Sequence, residues 1–251
     1  ARPQSVFGPP SNIFDAPAGT LNTYESDTVK NVEVGAKTQW LDDRLRFNFS
    51  VYQVTWENIQ VQAEDPQDNI FTLGIANFPE AEIDGVEVWL SWLPDDHWSI
   101  EATLGYNDGE LSEADTLFAG TDGAITVPVG TELPIVPDLK GHLKVMYSFD
   151  TPFLGGYPYV MGRFTYTGES VNSLAGIESS PFSSPVVTQD AWHTLDLQFG
   201  VEADQWDASL FIDNIADEEA DLFFNNRFAQ QRLSINPPRT IGINFRYRFS
   251  N

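Results

Sequence analysis

Side chains able to do chemistry are few in this chain, and they are scattered. There are three histidines, His97, His142 and His193, and no cysteine. The absence of Cys removes thiol nucleophiles, disulfides and Cys-based metal sites. A hydrolytic arrangement needs a base within hydrogen-bond reach of its nucleophile, and a third group to orient that base. His142 is placed to meet Ser148 or an Asp on a neighbouring strand, but no spacing specifies the encounter. His97 falls in a short turn and His193 on the apolar phase of a strand. Histidines this dispersed do not make a metal site either. The reading is therefore no catalytic residue, no metal ligand, no cofactor and no enzyme, with His142 a polar wall residue.

Carboxylates are abundant: 37 Asp plus Glu stand against 13 Lys plus Arg, a formal charge of −24. Nucleic acid is excluded as a partner, because binding phosphates needs clustered cations. Asp217-Glu218-Glu219-Ala220-Asp221 and Asp108-Gly109-Glu110 offer hard oxygen donors for Ca²⁺. Neither has the spacing of a dedicated Ca²⁺ loop, so solvated loops are the plainer reading. The acidity as a whole has the same plain reading, with cation binding or a salty medium as the sharper one. A different signal lies in Leu222-Phe223-Phe224-Asn225-Asn226-Arg227-Phe228. Exposed aromatics beside amides and an Arg are what ligand-gripping surfaces use, so Phe223, Phe224, Asn225, Asn226 and Arg227 are the candidate binding residues. The competing reading packs these rings within their own loop or against the next one.

The elements that position these groups follow from period-two alternation. In the last stretch Ile241, Ile243, Phe245, Tyr247 and Phe249 alternate with Gly242, Asn244, Arg246 and Arg248. Eight earlier runs do the same, over about 28–41, 44–61, up to Trp92, 98–107, 139–149, 160–166, 193–201 and 206–213. Within the second run the phase slips to Tyr52, Val54 and Trp56, which predicts a bulge or an exit from the apolar band. Residues 1–27, rich in Pro, Gly, Asn and Ser, read as a loop with turns. No window of about 18 apolar residues is present, so no membrane-spanning helix is expected.

Three regularities then coincide. Short connections (Asp42-Asp43, Pro94-Asp95-Asp96-His97, Ala203-Asp204-Gln205) alternate with long ones, around Glu64-Asp65-Pro66-Gln67-Asp68-Asn69 and near 108–137, 168–190 and 215–237. Trp40, Trp92, Trp98, Trp206, Tyr147 and Phe149 all sit beside short turns, as an interfacial girdle would. The polar faces carry charges that a dry core would not accept. Together these predict an all-β, antiparallel transmembrane barrel wall contacting outer-membrane lipid. A soluble β-sandwich binding module explains the alternation but neither the girdle nor the loop asymmetry. A passive porin-like channel is the other alternative. An antiparallel bacterial barrel has an even strand number, so about nine strands predict a longer native chain of which this is the C-terminal part.

Short motifs support that expectation. Asn31-Val32-Glu33-Val34-Gly35-Ala36-Lys37, Ile83-Asp84-Gly85-Val86-Glu87, Leu210 to Asp217 and Pro238-Arg239-Thr240-Ile241-Gly242 occur in this order. In that order they resemble the strand signatures of TonB-dependent outer-membrane receptors, across most of the chain; Arg2-Pro3 is similar to the loop before the first. The resemblance implies a 22-stranded barrel in a Gram-negative outer membrane, gated by an N-terminal plug and energised through TonB. It implies uptake of a siderophore, vitamin or glycan. On this reading residues 1–27 are an extracellular loop segment, 28–251 are the last barrel strands, and the plug and TonB-binding segment are not in this chain. One departure is that Ser250-Asn251 follow the aromatic Phe249, where the family ends on the aromatic residue.

Overall fold

A computed structural model describes residues 2–3, 23–64, 73–120, 123–174, 186–225 and 232–249. The alternating runs become nine strands: Thr28–Trp40, Leu45–Glu64, Leu73–Trp92, Trp98–Leu111, Leu139–Ser148, Tyr157–Thr167, Trp192–Glu202, Trp206–Asp213 and Thr240–Tyr247. They lie side by side in chain order in one nine-stranded sheet, and every pairing is antiparallel. We refer to them as the first to ninth wall strands.

Register puts all the apolar phases on one face. One rung runs Val34, Val51, Val86, Tyr106 and Leu139 across five strands. Another runs Phe199, Leu210 and Ile243 across the last three. This face is open: Val34 is 73% exposed, Ile243 77% and Phe245 67%. A sandwich would bury it against a second sheet, and here a single sheet turns it outward, which removes the sandwich reading. The outward face suits hydrocarbon, since the strands satisfy each other's backbone groups internally. Fully buried apolar side chains (Ala81, Leu111, Val127) gather where the long connections meet the wall rather than along a sheet interface.

The short connections all fall at the opposite edge of the wall. The first bends through Leu41, Asp42 and Asp43, all left-handed at φ 55°, 53° and 67°, and Arg44 N donates to Leu41 O at 3.2 Å. In the next, the Asp95 carboxylate accepts from the backbone N–H groups of His97 (2.8 Å) and Trp98 (3.1 Å). The first of these bonds chiefly holds its pKa below the ordinary value. The girdle is present. Trp98 meets Tyr147 edge-on at 4.8 Å, and Tyr147 meets Phe149 at 4.9 Å. Tyr247 and Phe249 extend it along the last strand, 4.9 Å apart.

One open alternative is decided, and two expectations need adjustment. The phase slip at Tyr52 is not a bulge, because pairing with the third strand runs unbroken from Leu45 to Glu57. The apolar band simply ends there, and Tyr52, on the inner face, lies over Gly85 and donates from its hydroxyl to Asn107 Oδ1. The long connections are not plain loops: they carry the paired strands Asp115–Gly120 with Gly123–Val127, Ser170–Val171 with Thr188–Gln189, and Asp221–Asn225 with Arg232–Ile235. Within 1–27, Arg2–Pro3 pairs with Thr23–Tyr24, apart from the wall sheet.

Candidate functional site

Two surfaces gather the polar side chains: the inner face of the wall and the rim, or mouth, formed by the long connections. The inner face is polar because alternate residues of every strand point there. Several of its charges are matched. Arg163 Nε donates to Asp196 Oδ2 at 2.8 Å, with Asp213 3.7 Å from the same guanidinium. Lys144 lies 3.5 Å from Glu101, and Arg248 lies 3.4 Å from Glu202 and 3.6 Å from Asp207. Toward the short-turn end this face lines a concavity of about 1260 Å³, with Lys144, Tyr159, Gln198, Asp207 and Arg246 among its walls.

At the mouth the long connections are bonded to one another. Leu111 N donates to Thr131 O (2.9 Å), Ile135 N to Val171 O (2.8 Å), and Asn172 Nδ2 to Phe224 O (3.3 Å). These bonds join three connections into one layer. Beneath the last hairpin, Asn214 is 3% exposed with φ 50°, a conformation Asn tolerates better than most residues. Its Nδ2 donates to the carbonyls of Glu218 (2.9 Å) and Pro237 (3.1 Å), and its Oδ1 accepts from Glu218 N (2.9 Å). Asn236 closes the far side, donating to Glu218 O and accepting from Ala220 N, both at 2.9 Å. Asp217 receives the Arg239 backbone N–H at 2.8 Å and its guanidinium at 3.2 Å. Asp196 links this knot to the wall by accepting from Asn214 N at 2.8 Å.

Phe223 and Phe224 lie half-buried in the hairpin strand Asp221–Asn225, opposite Ser234 and Leu233. Consecutive strand residues point to opposite sides, so the two rings serve different faces of the hairpin. The backbone of Asn225 pairs with Arg232, while Asn226 and Arg227 lie outside the described residues. Asp217 of the acidic stretch is committed to Arg239, and Asp108-Gly109-Glu110 is part of the fourth wall strand. Among the described residues no group of three candidate ligands is placed to hold a metal. His142 stands in register between Thr103 and Thr165, and His193 packs on Phe164 with ring centres 5.8 Å apart. His97 Nδ1 lies 3.0 Å from Ser148 O, and its Nε2 lies 3.4 Å from Asp150. In the connection after the fourth strand, the Glu132 carboxyl is held above its ordinary value, first by partial burial and then by Glu169, Asp138 and Asp108.

The residues that sequence reasoning missed are Asn214, Asn236 and Gln189. Asn214 and Asp217 had entered only as part of a motif; their work as a knot depends on Asn236 and Arg239, distant in sequence.

The family profile described as TonB dependent receptor-like, beta-barrel, matches residues 5–215. The chain belongs to the TonB-dependent receptor family. Such receptors reside in the outer membrane of Gram-negative bacteria and are not enzymes, which fits the outward apolar band and the girdle of this wall. A relative in Acinetobacter baumannii, the probable TonB-dependent siderophore receptor PiuA, is 24% identical over 247 residues, 96% of this chain and 29% of that protein. The ferric yersiniabactin uptake receptor FyuA of Yersinia pestis superposes with a TM-score of 0.69 at 19% identity, over 94% of this chain and 32% of its own. Pseudomonas aeruginosa FpvA, solved with a bound iron–pyoverdine complex, gives 0.68 at 19% identity, over 98% of this chain and 29% of its own. This receptor chain thus spans about a third of the length of the relatives it matches.

Proposed function

We propose that this chain is the C-terminal wall of an outer-membrane receptor that takes up a scarce solute by active transport. An iron–siderophore complex is the best-supported solute. The carrying observation is the open nine-stranded sheet, apolar outside and charged inside, whose two edge strands run in the same direction. An antiparallel barrel cannot close on such edges without an odd number of further strands. On this reading the rest of the wall comes from other sequence, and membership of the family adds a plug through which TonB would act. Residues 1–27 belong to the extracellular side. The siderophore assignment draws on what the relatives are named for. The mouth recognises the solute, with Phe223, Phe224, Asn225, Asn226 and Arg227 as the contact set, and the concavity of the inner wall receives what fills the barrel.

The test is uptake of radio-iron chelates by cells carrying the complete receptor, with and without TonB. Accumulation that requires both the receptor and TonB supports the reading. Passive ion conductance in bilayers, with uptake indifferent to TonB, would replace it with a porin-like channel.

A further inference from the structure

Three of the four long connections contain no cation. Among the described residues, the upper ends of the second and third wall strands carry Glu57, Glu64, Glu80, Glu82 and Asp84, the connection after the fourth strand carries Asp108, Glu110, Glu113, Asp115, Glu132 and Asp138, and the next carries Glu169 and Asp190, and none of these stretches contains a Lys or Arg. Most cations lie lower, on the inner face or beside the short turns, where carboxylates match them, as at Arg163–Asp196 and Arg248–Glu202. Toward the mouth Lys30 pairs with Glu57 and Arg239 with Asp217, but like charges also face each other across the ladder: Asp84 opposite Asp108, and Glu82 opposite Glu110, with Glu110 bridged in turn to Glu132. Such opposition is unfavourable. Carboxylates thus outnumber cations at the mouth and oppose one another there, which leaves it net negative.

Inside the same layer lies a group of different chemistry. Gln189 is 4% exposed, and its Oε1 accepts from Ser170 Oγ at 3.0 Å. Its amide nitrogen has no partner among the described residues. A buried donor left unpaired in a native fold calls for an explanation, a missing acceptor being the direct one. The residues next to this pair, Glu169 and Asp190, are exposed carboxylates. An acceptor arriving there with negative charge would be repelled, whereas a neutral carbonyl or hydroxyl oxygen would not.

We propose that the mouth selects solutes that are cationic or neutral overall and that present a neutral oxygen acceptor to Gln189, and that it rejects polyanionic chelates. The inference rests on the uptake reading above and narrows its substrate class. Fields of this kind raise association rates of opposite charge by about 10–1000-fold, falling steeply with ionic strength.

The experiment uses the complete receptor in detergent micelles and two ferric chelates as probes: a trishydroxamate bearing a free ammonium, and a tris-catecholate. At low salt the cationic chelate is expected to bind about tenfold or more tightly than the anionic one, the gap closing as the Debye length shortens. Neutralising exposed carboxylates together (Glu169→Gln, Asp190→Asn, Glu219→Gln, Asp221→Asn) shrinks that gap. The pair Ser170→Ala with Gln189→Leu removes both partners of their one bond. It should leave the melting temperature unchanged while weakening the cationic chelate about fivefold or more at every salt. Tighter binding of the tris-catecholate overturns the selection and leaves the uptake reading standing. Undiminished affinity in the pair variant overturns the role given to Gln189. Binding of neither chelate overturns the iron-chelate reading, and this inference with it.

Discussion

Asn214 shows how much one side chain can hold. Its amide group serves three backbone partners across the last long connection, and its backbone N–H is held by Asp196. Asn214→Ala strands those partners and places a β-carbon residue without local hydrogen bonding in the left-handed region. A loss of about 2–4 kcal/mol is expected, read as a lower urea midpoint and faster protease cleavage within 215–239. Asn214→Gly, which keeps the conformation but not the bonds, should recover only the smaller part. Glu132 gives a prediction of opposite sign. Its carboxyl is raised, so the folded state prefers the protonated form, and stability declines as pH climbs from the ordinary carboxylate value through the raised one. Glu132→Gln should therefore stabilise the mouth at neutral pH. That gain should vanish in acid, where the wild-type residue is already protonated; a pH series of thermal midpoints checks both limbs.

At the scale of the element, the strand signatures have mechanical causes. Gly35 sits where an added Cβ would meet the Phe49 carbonyl oxygen at 2.5 Å, so the first and second strands can approach only with Gly there. Gly35→Val should cost about 1–3 kcal/mol, measured as a lowered unfolding temperature of the complete barrel. Tyr159 over Gly200 and Phe211 over Gly242 repeat on the inner face what Tyr52 does over Gly85. All nine wall strands were legible because each carries a period-two pattern that one exposed and one wet face enforce. The hairpins inside the long connections were not. Asp115–Gly120, Asp221–Asn225 and their partners are short, and acidic or glycine residues interrupt their apolar alternation. The Asn214 knot was illegible for another reason: its partners Asn236 and Arg239 come from beyond the hairpin, and sequence spacing does not say which amides will meet.

For the whole molecule, the girdle and the loop layer divide the wall into an anchored end and a working end. The ring pairs near Trp98, Tyr147 and Phe149 lie at the level of the short turns, so they fix the depth at which the sheet sits in the bilayer. The 28.0 kDa chain alone has two strand edges whose backbone groups hydrocarbon would not tolerate. Expressed by itself it should give no heat-modifiable band on unboiled gels, and co-production of the remaining receptor strands should restore one. A heat-modifiable band from this chain alone would show that it closes by a route the edges do not reveal.

Those edges also set a timetable. Every ladder in the wall joins strands that follow one another along the chain, so each pairing closes a short loop of polypeptide and can form early. The seam is different: on the proposed reading the ninth strand finds a partner distant in sequence, against a larger loop-closure entropy than any ladder of this wall. Long-range pairing of that kind is slow. On that reading the sealing of the seam is expected to set the pace of assembly, and until it happens Thr240–Tyr247 is a free template on which a stray strand can settle.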